Sequence, residues 1–169
     1  MRTELYWVEG TWPGRLAIMP RPRGGDWLEV EVRAWRDAGV GVVVSLLESE
    51  EVADLDLSAE SELSRANGID FVTFPIVDRS VPTARETVAE LVAKLAVALK
   101  EGKNVAIHCR QGVGRAALVA VSTLIRLGID VETAIATIGL ARGRPVPETS
   151  EQRQWLLDFA RRPATPIPA

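Results

Sequence analysis

The stretch Asn104-Val105-Ala106-Ile107-His108-Cys109-Arg110-Gln111-Gly112-Val113-Gly114-Arg115 (NVAIHCRQGVGR) holds the key to the fold. Its first five residues, Asn104–His108, are an apolar run of the kind that forms a strand buried on both faces. Gly112 and Gly114 then interrupt the chain, and Arg115–Leu127 carries a helical pattern closed by Gly128. A buried strand passing through a glycine turn into a helix is one step of a parallel α/β sheet.

The same alternation extends in both directions. Upstream, Tyr6–Met19 reads as a short strand, a turn at Pro13–Gly14 and a second strand, Arg15–Met19, and the loop Pro20–Gly25 follows. Asp26 is expected to cap a helix over Trp27–Ala38, with Gly39 as its stop, and Val40–Leu46 is another continuous apolar strand. A helix over Ser58–Asn67, a strand over Ile69–Phe74 and a long helix over Ala84–Glu101, capped by Thr83, complete the upstream part. Downstream, Asp130 caps Val131–Arg142, and Ser150–Arg161 forms a last helix. The predicted class is α/β, with a central, mostly parallel sheet of four to five strands flanked by helices on both faces. One domain is expected over residues 1–162, with the proline-bearing 163–169 as a flexible tail. In such folds ligands bind beyond the carboxyl ends of the strands, where His108–Gly114 lies.

Composition narrows the function. With 169 residues, 20 Lys+Arg against 23 Asp+Glu, one Cys and one His, the chain cannot form an internal disulfide or supply a zinc site from those two residue types. A net charge of -3 argues against a nucleic-acid binder. No N-terminal stretch reads as a targeting signal, and Val88–Leu99, which contains Glu90 and Lys94, is too short to span a bilayer, so a cytoplasmic chain without membrane insertion is expected. The charge is also uneven. Residues 1–99 carry 10 basic and 17 acidic side chains, residues 100–169 carry 10 basic and 6 acidic. Leu47–Ser64 holds seven acidic residues and no Lys or Arg, whereas Arg110, Arg115, Arg126, Arg142 and Arg144 cluster downstream. Solvated helix faces account for such runs in general; an anionic ligand near the second cluster is the sharper expectation.

The two lone residues, His108 and Cys109, are neighbours in the glycine loop. Successive N–H groups of a tight turn at Arg110, Gln111, Gly112, Val113, Gly114 and Arg115 converge on one point, and the following helix adds its positive N-terminal end, so the segment is an anion cradle. The same field stabilises a thiolate and makes Cys109 a candidate nucleophile. Arg115 can clamp two oxygens of a phosphate with its guanidinium fork. His108 is adjacent to Cys109 in extended chain and so points to the opposite face, where it can hydrogen-bond the loop from behind.

The C-x5-R spacing, with its preceding His and Gly-x-Gly-Arg ending, resembles the protein-tyrosine and dual-specificity phosphatases. Pro75-Ile76-Val77-Asp78-Arg79-Ser80-Val81-Pro82 resembles that family's P-I-x-D-x-x-x-P acid loop, and Arg144–Gln152 resembles its R-P…E-T-x-x-Q run. The likeness covers roughly residues 15–160. It is greatest to small bacterial members and to the cyclin-dependent-kinase-associated group, through Val44-Ser45-Leu46-Leu47-Glu48. It implies a phosphomonoester hydrolase working through a phosphocysteine on Cys109, with Asp78 as general acid, no metal and no cofactor. Its substrate would be a phosphorylated protein or a small phosphorylated molecule, and a monomer is expected. Gln152 is a candidate for ordering the loop or a water, while Thr149 or Ser150 capping the last helix is the simpler reading. Arg79 and the Arg21–Arg23 loop are candidate substrate contacts. The family usually carries Ser or Thr after the loop arginine, where this chain has Ala116, so slow breakdown of the covalent intermediate is expected. The alternatives are a pseudophosphatase or phosphate-binding module, a phosphoinositide or other small-molecule phosphatase, and a rhodanese-like sulfurtransferase.

Overall fold

The computed structural model describes residues 3–162. The expected tail, 163–169, lies outside the described residues. Five strands form one sheet in the order β1-β2-β5-β3-β4: β1 is Tyr6–Val8, β2 Leu16–Met19, β3 Val40–Ser45, β4 Asp70–Thr73 and β5 Asn104–His108. β5 lies between β2 and β3 and runs parallel to both, β3 and β4 are parallel, and only β1 pairs antiparallel, with β2. The mostly parallel sheet is therefore present, with its fifth strand added as an antiparallel edge.

Seven α-helices are described: α1 (Leu28–Asp37), α2 (Ser49–Asp54), α3 (Glu60–Ala66), α4 (Arg85–Lys100), α5 (Arg115–Arg126), α6 (Val131–Arg142) and α7 (Ser150–Arg161). The period of two along β5 sorts the core. Val105 and Ile107 face one side with Leu16, Ile18, Val42 and Val44, packing against α4 to α7, while Ala106 joins Ala17, Met19 and Val43 against α1 and α3. α5 is buried along its whole length from Arg115 to Leu124, so its only interior hydroxyls, Ser122 and Thr123, bond back to the carbonyls of Leu118 and Val119. A helix so enclosed fixes its first residue, Arg115, rigidly relative to the sheet.

Three local expectations need correction. Asp26 is not the cap of α1; it lies in a 3-10 turn, Gly25–Trp27, that runs straight into the helix. Thr83 does not cap α4, whose N-cap is Ala84 without a side-chain hydrogen bond, because Thr83 sits one residue too early. α2 falls where no element was expected. Its capping box is built from Glu48 and Glu51 instead of the usual Ser or Thr with Glu, and so has a weak sequence signature. Asp130 does cap α6, accepting a 3.1 Å hydrogen bond from Thr133 N–H, and that bond holds its carboxyl below the ordinary range.

Candidate active site

The loops leaving the carboxyl ends of β3, β4 and β5 meet at one place. The β5 loop bends at Gly112, with φ +69, where a Cβ would stand 2.5 Å from Met19 O at the end of β2, so only glycine fits. This turn lets Gly112 N–H donate to Cys109 Sγ across 3.3 Å. Gly114 has negative φ and is small for another reason: a Cβ there would stand 2.9 Å from Glu148 Oε2 and 3.1 Å from the Gln152 amide.

Arg115 is 1% exposed and anchored from three directions. Its Nη1 and Nη2 donate to the two carboxylate oxygens of Glu51 at 2.7 and 2.9 Å, Nη1 also donates to Ile76 O at 2.8 Å, and Nη2 lies 3.0 Å from Asp78 Oδ1. Burial works against the guanidinium charge, but the hydrogen bond to Glu51 and the neighbouring Cys109, Glu51 and Asp78 outweigh it, so its pKa is raised further. Burial likewise opposes ionisation of Glu51, yet Arg115, the Glu48 N–H and the charge of Arg110 hold that carboxyl below its ordinary value. Nε of Arg115 is buried without a hydrogen-bond partner, the one donor of the fork left for another acceptor.

Asp78 follows β4 on the loop between β4 and α4, half-exposed, and accepts from Arg79 N–H at 3.0 Å besides facing Arg115. A cavity of about 140 Å³ is lined by Asp78, Arg79, Cys109, Arg110, Gln111, Gly114, Arg115 and Glu148. The three residues expected to do chemistry are thus brought together. Val113 and Gly112 belong to the loop but not to the cavity wall, and Val113 packs in the core instead.

Support comes from both sides of the sheet. His108 is fully buried on the face opposite Cys109, with Nδ1 3.3 Å from Cys109 O and Nε2 2.7 Å from Glu60 Oε1. Gln152 fills two roles at once: it completes a capping box with Thr149 at the start of α7, and its Nε2 donates to Ser80 O at 3.0 Å, tying α7 to the acid loop. Arg142, at the end of α6, donates to the outward carbonyls of Gly112 and Gln111 at 3.2 and 3.1 Å, with its guanidinium over the Tyr6 ring. Holding those carbonyls outward turns the loop's N–H groups inward.

Glu51 and Glu60 were not singled out from the sequence, although both lie in the acidic stretch Leu47–Ser64. That stretch is not merely a solvated face, since these two carboxylates are buried and serve as counter-charges to Arg115 and His108. Arg144, by contrast, is exposed, and the Arg21–Arg23 loop contributes nothing to the cavity wall; Arg21 bonds Pro22 O and Arg23 pairs with Glu31.

The family model described as "Polymorphic toxin system, DSP-PTPase phosphatase" (Tc-R-P) matches residues 17–129, which hold β2 from its second residue, strands β3 to β5, the Asp78 loop and the cysteine loop. The chain belongs to this DSP-PTPase phosphatase family. Among curated proteins it is similar to the human protein "Cyclin-dependent kinase inhibitor 3", 33% identical over 87 residues, covering 50% of this chain and 41% of that relative. The match thus spans less than half of the relative's length. The fold of this DSP-PTPase family chain is shared with a kinase associated phosphatase whose catalytic-site cysteine is substituted by serine (TM-score 0.83, 20% identity, 94% of each chain). It is also shared with Tk-PTP in the active form (TM-score 0.74, 26% identity, 94% of this chain and 97% of that one). Among the described residues, no helix is long and apolar enough to cross a membrane.

Proposed function

We propose that this chain hydrolyses phosphate monoesters through a phosphocysteine, with protein phosphotyrosine as the preferred substrate and phosphoserine and phosphothreonine as further ones. The observation that carries this reading is the convergence of Cys109, Arg115 and Asp78, from separate segments of the chain, on one small cavity. In the first step Cys109 Sγ attacks phosphorus in line. Arg115, through its free Nε, and the N–H groups of residues 110–115 hold the non-bridging oxygens, while Asp78 gives its proton to the departing ester oxygen. In the second step Asp78 takes a proton from water, the water oxygen bonds to phosphorus, the S–P bond breaks, and inorganic phosphate leaves with the thiolate restored.

No aromatic side chain is among the residues lining the cavity, which favours a permissive pocket open to phosphotyrosine and also to phosphoserine and phosphothreonine. The acid in its own loop gives a sulfurtransferase no use for Asp78. The monomer expected from the sequence is kept as part of this proposal, and a free thiol nucleophile suits a reducing, cytoplasmic setting. We propose residues 1–162 as the catalytic domain.

Release of phosphate from 4-nitrophenyl phosphate in the presence of a chelator tests the activity, and phosphopeptides assayed beside soluble inositol phosphates test the substrate. Ala116 is the one feature that favours the second reading, a phosphate-binding module without turnover. Tight oxyanion binding with no phosphate release would establish that alternative, and preference for inositol phosphates would overturn the protein substrate.

A further inference from the structure

At the mouth of the cavity Arg79 Nη1 donates to Glu148 Oε1 at 2.8 Å. The two residues come from segments 69 apart in sequence, and both line the wall. Glu148 lies over the start of α5, its Oε2 being the nearest atom to a Cβ placed on Gly114, so a carboxylate stands beside the phosphate cradle itself. A site built only to attract phosphate has no use for it. The second arginine at the mouth, Arg110, is half-exposed and also has a counter-charge, with Glu51 Oε1 3.9 Å away. Of the three arginines lining the cavity, Arg115 is deep and offers a free donor, whereas each arginine at the mouth faces a glutamate.

We propose that Glu148 is a specificity-determining residue that restricts the site to substrates carrying a single phosphate. A monoester puts its phosphate against Arg115 and the loop N–H groups, beyond the reach of the mouth. A ring bearing a second phosphate on a neighbouring carbon would bring that group to the mouth, where the cations are Arg79 and Arg110. Glu148 occupies Arg79 and adds its own negative charge, so the second phosphate meets repulsion where a polyphosphate-selective site would offer a free guanidinium. The pair is partly exposed, at 64% for Arg79 and 31% for Glu148, so its mutual attraction is weak and removing Glu148 releases Arg79 without disturbing the fold.

This inference rests on the proposed phosphatase reading for the identity of the central ligand, but its test needs no turnover. In the Cys109→Ser background, calorimetry at constant ionic strength gives dissociation constants for phosphotyrosine and for inositol hexakisphosphate, which carries a phosphate on every ring carbon. Glu148→Gln is expected to tighten the hexakisphosphate about tenfold and phosphotyrosine by no more than about twofold. Adding Arg79→Gln should remove most of the gain, and Glu29→Gln, which deletes the same charge from α1, should give none. Unchanged hexakisphosphate affinity in Glu148→Gln, or an equal gain in Glu29→Gln, would overturn the proposal. An unsubstituted chain that binds phosphotyrosine but releases no phosphate would sink the phosphatase reading alone, and binding of neither ligand by any variant would sink both.

Discussion

Asp78 Oδ1 lies 3.0 Å from Nη2 of Arg115, so the proposed general acid is ion-paired with the proposed phosphate clamp. In the proposed mechanism one phosphate oxygen takes the free Nε and a second takes Nη2, where it would displace Asp78. Phosphate binding and release of Asp78 toward the leaving group would then be coupled through Nη2. The coupling comes from the folding of two loops against α5: Ile76 O, two residues before Asp78, accepts from Nη1 of the same arginine.

Asp78→Asn removes the proton donor and the competing charge together. Turnover should fall on the order of 10²-fold or more for alkyl phosphates, whose leaving oxygen needs a proton, and much less for 4-nitrophenyl phosphate. Affinity for a non-hydrolysable oxyanion should rise. Steady-state kinetics over a series of leaving groups, with calorimetry for the oxyanion, measures both, and a uniform loss across the series would contradict the assignment.

Glu51→Gln tests the buried anchor of Arg115. Because the Glu51 carboxyl ionises below its ordinary value of 4.5 in the folded chain, the pair stabilises the fold fully above about pH 4.5, and this contribution is lost as pH falls through the lower folded value. The variant should be less stable at neutral pH by on the order of 3 kcal/mol, the usual consequence of stripping a buried charge of its partner. Its stability should also fall less steeply below pH 4.5 than that of the parent. Urea denaturation at a series of pH values reads both effects.

His108 makes contacts at both ring nitrogens. Nδ1 faces Cys109 O and Nε2 faces Glu60, so the ring is held from both sides. Glu60→Leu leaves a buried imidazole with no partner on that side and should cost about 3 kcal/mol. Catalytic rate should fall as well, as the Cys109 carbonyl loses its fixed contact. Glu60→Gln, which keeps a hydrogen bond, should recover most of both.

Ala116 is fully buried in the first turn of α5 and offers no hydroxyl to a departing thiolate. A hydrogen bond to a charged group contributes about 1.5–3 kcal/mol, so breakdown of the phosphocysteine should be slower by roughly tenfold or more than with a hydroxyl present. Rapid-quench kinetics with an aryl phosphate should show a burst, and Ala116→Ser should diminish it. A linear time course in the parent chain would remove this role for residue 116.

How far the sequence revealed the molecule depended on the kind of signal. Buried strands such as Val40–Ser45 and Asn104–His108 were legible as apolar runs, and α7 was legible to the residue, because burial on two faces and helical periodicity leave strong patterns. β4 is an edge strand with mixed exposure and came out two residues shorter than expected, while α2, a six-residue helix with glutamates in its capping box, left no pattern at all. At the site, Cys109, Arg115 and Asp78 were legible because each sits in a local motif. Glu51 and Glu60 were not, because their roles depend on partners 64 and 48 residues away in the chain, and a buried glutamate looks the same in sequence as a solvated one. Arg142 was visible only as part of a basic cluster, since its hold on the cysteine loop acts on carbonyls 30 and 31 residues away.

The central claim is that Cys109 carries the phosphoryl group. Quenching the chain in acid during turnover of an aryl phosphate, followed by peptide mass spectrometry, should find one phosphate per chain on the peptide containing Cys109, labile as a thiophosphate ester, and none on the Cys109→Ser variant. Phosphate released at the parental rate by Cys109→Ser, or a phosphorylated residue elsewhere with Cys109 unmodified, would contradict the account.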